Sequence, residues 1–464
     1  MRIINKFKLT NTHLVIGMLI TAAFYFLLHY TVVNNAWLML FILYGSLIIG
    51  TVAIFQKPEL SLWLIVMLRW FSQFKVYFFG LSLITPGNIA MGGAFLYLLI
   101  TKGTQWNLRN QLSYIILLFT SYVLMSSILN KSDVVYYKLI NDMLFYILAV
   151  AMLDSGKKVQ DCITVIILLS TVYSLLGLGS FVTNWGHIPD GGLSFPSTGH
   201  VEFAFMVWFG LPFALYRFKK SSSVCSKSLM GAITSLLVLS IFLSLARGII
   251  ITLIFSVIVI ILLSHKRTTH RILFCSLLVG LFFLSINFLP SPFKQRILSI
   301  PHTIEDISDP TGKLSGRMYF YRAAWRAFLD HPLCGIGFRR FAEEWRWYSD
   351  KNLSLSYRST KYNTHNTYLQ VLSELGIIGF ALYLTVLGQT IYNFFYTIKR
   401  GRKSNGVQRG FSDIAEPCLA CLLGFMLFAI GDNQGLDRLF YLLAAISVCL
   451  RTLSKAEEDS SSLA

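Results

Sequence analysis

LMGAITSLLVLSIFLSLARGIIITLIFSVIVIILLS, residues 229–264, is apolar from end to end apart from one charged residue, Arg247. A helix crosses the hydrocarbon core of a bilayer with about 20 apolar residues. This run is too long for one span and predicts two helices that turn at Ser244-Leu245-Ala246-Arg247-Gly248. An unpaired arginine in so tight and apolar a turn costs roughly several kcal/mol. It either snorkels to the interface or holds an anion in a shared cavity, and the second reading is preferred.

Working outward, apolar runs of spanning length recur at 13–33, 36–55, 111–129, 134–153, 162–182, 201–216, 272–289, 368–395, 417–430 and 439–450. Residues 60–100 are interrupted by Arg69, Trp70, Gln73 and Lys75, and fit two short spans or one span with a re-entrant piece. The chain is 55% hydrophobic and 13% charged, with a mean hydropathy of +0.61. A soluble core does not hide that much apolar surface. The expectation is an all-α, polytopic integral membrane protein of about 12 to 14 transmembrane helices. The run at 13–33 is followed almost at once by another and lacks a small-residue cleavage site, so it is expected to be the first span rather than a signal peptide.

A formal net charge of +18 would suggest nucleic acid in a soluble protein. Here the cations cluster in short connections: Arg2/Lys6/Lys8, Lys102/Arg109, Lys157/Lys158, Arg217/Lys219/Lys220/Lys227, Lys266/Arg267/Arg271 and Lys399/Arg400/Arg402/Lys403/Arg409. By the positive-inside rule these face the cytoplasm, as do both termini. The intervening connections carry almost no Lys or Arg, and no nucleic-acid partner is expected.

Residues 290–366 break the pattern as one large extracytoplasmic loop with twelve Lys and Arg against seven Asp and Glu. Long loops translocate whatever their charge. The excess of cations fits anionic lipid head groups or a phosphate-bearing substrate. The expected organisation is a first transmembrane bundle at 1–289, the loop at 290–366, further transmembrane helices at 367–452 and a cytoplasmic tail at 453–464.

Within the loop, 315–330 reads as an amphipathic helix. Ser315 is its N-cap, and Met318, Tyr321, Trp325, Phe328 and Leu329 form one face edged by Arg322 and Arg326. Arg317 falls in the first turn, where free backbone N–H groups favour an anion. His331-Pro332 ends the helix, and Gly335-Ile336-Gly337 makes a turn. Phe338, Phe341, Trp345, Trp347 and Tyr348, mixed with Arg339, Arg340 and Arg346, suit either a sugar platform or an interfacial anchor.

His365 stands where the loop re-enters an apolar segment, placed to move a proton at a membrane surface. Gly376 and Gly379 just inside allow close helix packing. Further charges gather at the same edge: Glu374, Asp432, Asp437 and Arg438. Asp432 either orients His365 or an acceptor hydroxyl, or pairs with Arg438, the preferred pairing. Asp142 lies in a span without an identifiable partner, and His200 and Glu202 open another helix. No His/Cys/Asp/Glu cluster has metal-ligand spacing, no P-loop is present, and Cys418-x-x-Cys421 reads as helix packing. Neither a metal nor a cofactor is expected.

The segments Ser315-Gly316-Arg317 through Trp325, His331-Pro332-Leu333-Cys334-Gly335-Ile336-Gly337-Phe338, and His365-Asn366-Thr367-Tyr368-Leu369-Gln370 with Gly376 and Gly379 together resemble the bacterial O-antigen ligase and O-antigen polymerase superfamily. Arg247-Gly248 in an outer hairpin completes the resemblance, which is fullest over 229–397. Phe380 departs from it, since ligases often have a small or β-branched residue there. The resemblance implies a GT-C-type glycosyltransferase of the inner membrane, with its active site facing the periplasm. The implied donor is a glycan on undecaprenyl pyrophosphate. The implied acceptor is lipid A–core for a ligase, the reading preferred, or a second lipid-linked glycan for a polymerase. The family roles carried over are catalysis by His365 and pyrophosphate binding by Arg247 and Arg317, with Arg322, Arg339, Glu374 and Asp432 as accessory candidates. Pyrophosphate is a good leaving group, so inverting transfer needs no metal in principle: two guanidiniums stabilise the departing phosphate, and His365 either accepts the acceptor's proton or only orients the acceptor. A flippase would place its charges near the midplane in two related halves, and a structural scaffold would leave the His365 spacing without a purpose.

Overall fold

The computed structural model describes residues 109–130, 136–183, 193–194, 199–263, 317–350, 361–403, 407–433 and 437–462. All of them lie in the unit Trp106–Ala464. Among these residues the fold is helical, with no strand. In chain order the helices are α1 (Gln111–Leu129), α2 (Tyr136–Met152), α3 (Gly156–Thr183), α4 (His200–Lys220), α5 (Val224–Leu243), α6 (Arg247–Leu263), α7 (Arg317–Asp330), α8 (Phe341–Tyr348), α9 (Thr367–Lys403), α10 (Val407–Phe428) and α11 (Arg438–Ser462). Seven of them, α1, α3, α4, α5, α9, α10 and α11, are long and apolar enough to cross a membrane, and the apolar parts of α2 and α6 are shorter. The expected spans at 13–33, 36–55 and 272–289, the region 60–100 and the helix cap at Ser315 lie outside the described residues, as does all of the loop before Arg317.

The 229–264 run folds as its length requires. Helix α5 ends at Leu243, Leu245 takes a left-handed φ of 56°, and α6 begins at Arg247. Apolar on every side, α6 divides its surface by packing. Ile251, Ile254, Ile258 and Leu262 stand exposed along one stripe, while Thr252, Leu253, Ser256 and Val259 are buried. The buried hydroxyls are satisfied by their own helix, Thr252 Oγ1 donating to Gly248 O at 2.7 Å and Ser256 Oγ to Thr252 O at 2.8 Å. Ser256 meets α10 at Gly424, where any side chain would collide with Ser256 and Trp208. Small residues at helix contacts are how apolar helices approach closely without a hydrophobic driving force. Gly210 of α4 does the same against Ser170 of α3.

Helix α9 is two helices joined at Gly376, which has φ 64° and ψ −168°. Such a break releases backbone groups that a membrane protein must satisfy internally. The turn after α7 satisfies them. Ile336 N donates to Ser373 O at 3.0 Å and Gly337 N to Glu374 O at 2.9 Å, while Ile377 N donates to Pro332 O at 2.8 Å. Tyr122 Oη of α1 takes the third carbonyl, Leu375 O, at 2.9 Å. Gly335 (φ 68°) and Gly337 (φ 106°) bend the turn into the gap, and the contact is too close for a side chain at Gly335 or Gly376.

This docking seats the loop helices on the start of α9. Phe320, Ala323, Ala324 and Ala327 of α7 form a small core with Ile336, Phe341 and Trp345. Phe320 stacks on Tyr362 at 4.9 Å and meets the Trp345 ring edge-on at 5.4 Å. Helix α7 is therefore present where its periodicity placed it, but with a different buried face. Trp325 and Leu329, read as part of its apolar face, are 48% and 57% exposed. Three alanines let α7 lie close to α9, and that close approach outweighs the burial of bulkier side chains on the other face.

Candidate active site

His365 is held in an uncommon conformation. Its φ of 51° lies in the left-handed region, disfavoured for a residue with a Cβ and sustained only where the surroundings fix it. Here they do so on both sides. Asn366 Oδ1 caps α9 by accepting from Leu369 N at 3.0 Å. Thr367 N donates to Ala429 O at 2.8 Å, and Thr367 Oγ1 to Asp432 O at 2.8 Å. Asn433 Oδ1 accepts from Asn366 N at 3.0 Å and lies 2.9 Å from Thr364 Oγ1. The residues flanking His365 are thus stitched to the turn that follows α10.

The imidazole is half-buried, its ring 6.0 Å from that of Phe320. Burial, and then the Arg317 guanidinium beside it, hold its pKa below the ordinary imidazole value. Both effects favour the neutral ring, the form able to accept a proton. Arg317, the first residue of α7, extends over the same turn. Its Nη1 lies 3.7 Å from where a Cβ on Gly431 would be, which puts the guanidinium in contact distance of that turn.

Asp432 lies on the turn itself. Burial pushes its carboxyl above the ordinary value, against the pull of the Asn433 backbone N–H and Arg317, and Glu202 pushes it further up. The Asn433 N–H donates to Asp432 Oδ1 at 2.7 Å. Tyr321 Oη reaches the carbonyl oxygens of His365 and Ile430, each at 3.4 Å. Burial raises its pKa, Arg317 opposing and Asp432 adding to the rise. Arg317 is thus the hub of a cluster with His365, Tyr321 and Asp432.

The other sequence-predicted residues divide between this cluster and elsewhere. Arg247 opens α6, half-buried, at the same end of the bundle. The adjacent Gly248 faces Phe428, the last residue of α10 before the Asp432 turn. Arg322 turns away, its Nη1 3.9 Å from Asp350 Oδ2, beside Arg326, whose Nη2 is 2.6 Å from Asp350 Oδ1. Arg339, with φ 61°, lays its guanidinium 5.9 Å over the Phe338 ring. Glu374 is roughly 13 Å along the helix from His365 at 1.5 Å rise per residue. It accepts from the Phe341 N–H at 3.3 Å, from the Arg339 backbone and from Gln370, supporting the start of α8.

The expected Asp432–Arg438 pair is corrected. Arg438 Nε instead donates to Asp142 Oδ1 at 2.9 Å. Helix α2 packs along α11, which brings to Arg438 the carboxylate whose partner was not visible in the sequence, and Asp432 is left to the Arg317 cluster. Of the aromatic group at 338–348, Phe341 and Trp345 are core, and only Trp347, with Arg346 4.4 Å over its ring, is largely exposed.

Tyr321, Glu202 and Asn433 belong to the cluster and were not singled out for it. Tyr321 follows Arg317 by four residues, the spacing that puts two helical side chains on one face, so its place had a local signal. Asn433 follows Asp432 directly and bonds to Thr364 and Asn366, while Glu202 had no local signal, since only the packing of α4 against α10 brings it there.

No curated protein matches this chain. Residues 232–384, about a third of the chain and including Arg247, Arg317 and His365 but not Asp432, match the family model described as O-antigen ligase, in agreement with the resemblance to the O-antigen ligase and polymerase superfamily drawn from its motifs.

Proposed function

We propose that this protein transfers a glycan from a lipid-linked pyrophosphate donor to an acceptor hydroxyl, with His365 as general base and Arg317 and Arg247 as the pyrophosphate clamp. The family match supports a ligase- or polymerase-type activity, and the helices support a multi-pass membrane protein. The observation that carries the mechanism is the proximity of Arg317 to His365, because one cation both adds to burial in keeping the ring neutral and stands where a departing phosphate needs charge.

In the proposed reaction the acceptor oxygen forms a bond to the anomeric carbon while the bond from that carbon to the pyrophosphate oxygen breaks. The electron pair leaves with the lipid pyrophosphate, whose growing charge is met by the guanidiniums. The acceptor proton passes to the neutral imidazole. Attack opposite the leaving group inverts the anomeric centre. Tyr321 and the Thr364–Thr367 contacts fix the base, and Asp432 balances the charge on Arg317 before the donor arrives.

The proposed setting is the periplasmic face of the inner membrane, with undecaprenyl pyrophosphate as the donor lipid, the loop 290–366 outside and both termini inside. The preferred acceptor is lipid A–core. The lipopolysaccharide ladder of a deletion strain tests this. Unsubstituted core with accumulating lipid-linked polymer is the ligase result. One repeat unit on the core identifies a polymerase, whereas an unchanged ladder, or a lost ladder with unpolymerised donor trapped on the cytoplasmic side, would overturn glycosyl transfer.

A further inference from the structure

Helix α4 connects the two ends of the bundle. Its first turn carries Glu202, beside Asp432, and its last turn carries Arg217, Lys219 and Lys220. The 21 residues put these ends roughly 30 Å apart at 1.5 Å per residue, so the basic end lies at the membrane surface opposite His365. A cavity of about 400 Å³ opens there between α3, α4 and α5.

Its lining has two zones. Arg217, Lys220, Ser222 and Ser226 form the polar one, while Ile167 and Leu168 of α3 and Met230 and Ile233 of α5 form the apolar one. Arg217 is set in place by one nitrogen. Its Nη2 donates to Gln160 O at 3.0 Å and Thr164 Oγ1 at 2.9 Å, tying α4 to α3 and leaving Nε and Nη1 without a protein acceptor among the described residues. Lys220 Nζ is held loosely, 3.4 Å from Tyr216 Oη and 3.8 Å from Asp413 Oδ2. Ser226 Oγ lies 3.0 Å from Ser221 Oγ, and Ser222 is exposed.

A site for a small soluble anion needs no apolar wall, and a purely apolar lipid groove needs no fixed guanidinium. Cations and hydroxyls beside aliphatic side chains, at the level where a bilayer's head groups begin, match an amphiphile with a phosphate at its polar end. Leu229, one turn before Ile233 on α5, is also exposed. Basic pockets between transmembrane helices on this kind of surface take anionic head groups.

We propose that the cavity between α3, α4 and α5 binds the phosphate head group and upper acyl chain of an anionic phospholipid in the leaflet opposite the His365 site. The free donors of Arg217 and the Lys220 ammonium hold the phosphate, Ser222 and Ser226 its remaining oxygens, and the chain lies against Ile167, Met230 and Ile233. The site is separate from the glycan-transfer reading and stands or falls without it.

Native mass spectrometry of the full chain in detergent, titrated with dioleoyl phosphatidylglycerol or dioleoyl phosphatidylcholine, tests the assignment. The expected result is a tight phosphatidylglycerol adduct, no equivalent phosphatidylcholine adduct, and no displacement by millimolar inorganic phosphate. Lys220→Gln should weaken the tight site roughly fivefold, and Arg217→Gln/Lys220→Gln roughly 25-fold, following the usual value of one basic residue near an anionic surface. Because Arg217 also ties two helices, Ser222→Glu supplies a control at an exposed position, where the added charge repels the head group and leaves packing intact. Equal binding of the two lipids, or phosphatidylglycerol binding indifferent to both Lys220→Gln and Ser222→Glu, overturns the proposal. Displacement by inorganic phosphate would make this a site for the free anion and overturn the lipid assignment.

Discussion

At the scale of single residues, the proposed chemistry turns on what burial and Arg317 do to His365. If the imidazole is the base, His365→Ala should lower transfer by roughly 10²–10⁴-fold, while donor binding changes far less because the arginines remain. His365→Gln separates proton transfer from positioning, and near wild-type turnover in that variant would remove the base role. Arg317→Ala should abolish transfer, and Arg317→Lys should restore little, since an ammonium lacks the planar fork that grips phosphate. Assay with purified lipid-linked donor checks both pairs. The pH profile carries a sign. Only neutral His365 accepts a proton, and its pKa lies below the ordinary value, so transfer should persist below about pH 6.5 and fall as pH drops through the lowered value. Removing the cation in Arg317→Gln should move the His365 titration upward, read by NMR even where turnover is lost. An unmoved titration would dissociate the two residues. Since guanidiniums meet the phosphate charge in this mechanism, transfer should also continue in excess EDTA. Loss of turnover that Mg²⁺ restores would shift the role to carboxylates.

Among the elements, the break in α9 and the turn docked into it form a matched pair. The glycines of the turn were legible in the sequence as a bend, and Gly376 as a packing residue. That the two positions would fill one another was not, because the hydrogen bonds join residues about forty apart. Gly335→Ala should be costly, with a left-handed φ of 68° and a methyl group driven into the Glu374 carbonyl. The strain alone is of order 1–3 kcal/mol. The expected outcome is a lower melting temperature in detergent and early proteolysis between α7 and α8. Gly388→Ala in α9 meets nothing within 4 Å and should be neutral or stabilising by up to about 1 kcal/mol. Equal behaviour of the two variants would show that the docked turn does not matter to stability. Helix α7 teaches a related point. Its existence followed from its periodicity, but the choice between a face of large side chains and one of alanines was made by how closely it lies on α9.

For the molecule as a whole, one ion pair reports the global packing. Asp142 of α2 is buried and reaches Arg438 at the start of α11, 296 positions away in sequence. Removing the carboxylate takes from Arg438 its ion-pair partner, so Asp142→Ala should destabilise the protein by roughly 3–5 kcal/mol. The double variant Asp142→Leu/Arg438→Leu should recover much of this, because it leaves no buried charge. Thermal unfolding of the detergent-solubilised protein checks the pair, and additive losses in the double variant would mean the two residues act separately.

The sequence by itself determined the helical membrane architecture, the turn at Arg247, the helix that begins at Arg317 and the place of His365 ahead of α9. These depend on the length of apolar runs and on residues within a turn or two of one another, where local sterics and hydropathy act. Tertiary structure alone decided which polar groups meet: Arg438 with Asp142 rather than Asp432, Glu202 with the Asp432 turn, and the backbone of Gly335–Gly337 with the opened helix at Gly376. Apolar length fixes that a segment crosses a bilayer but is nearly indifferent to how the segment rotates about its axis. Rotation is set by close contacts and by the cost of leaving a polar group unsatisfied in an apolar medium, and both depend on residues far away in the chain.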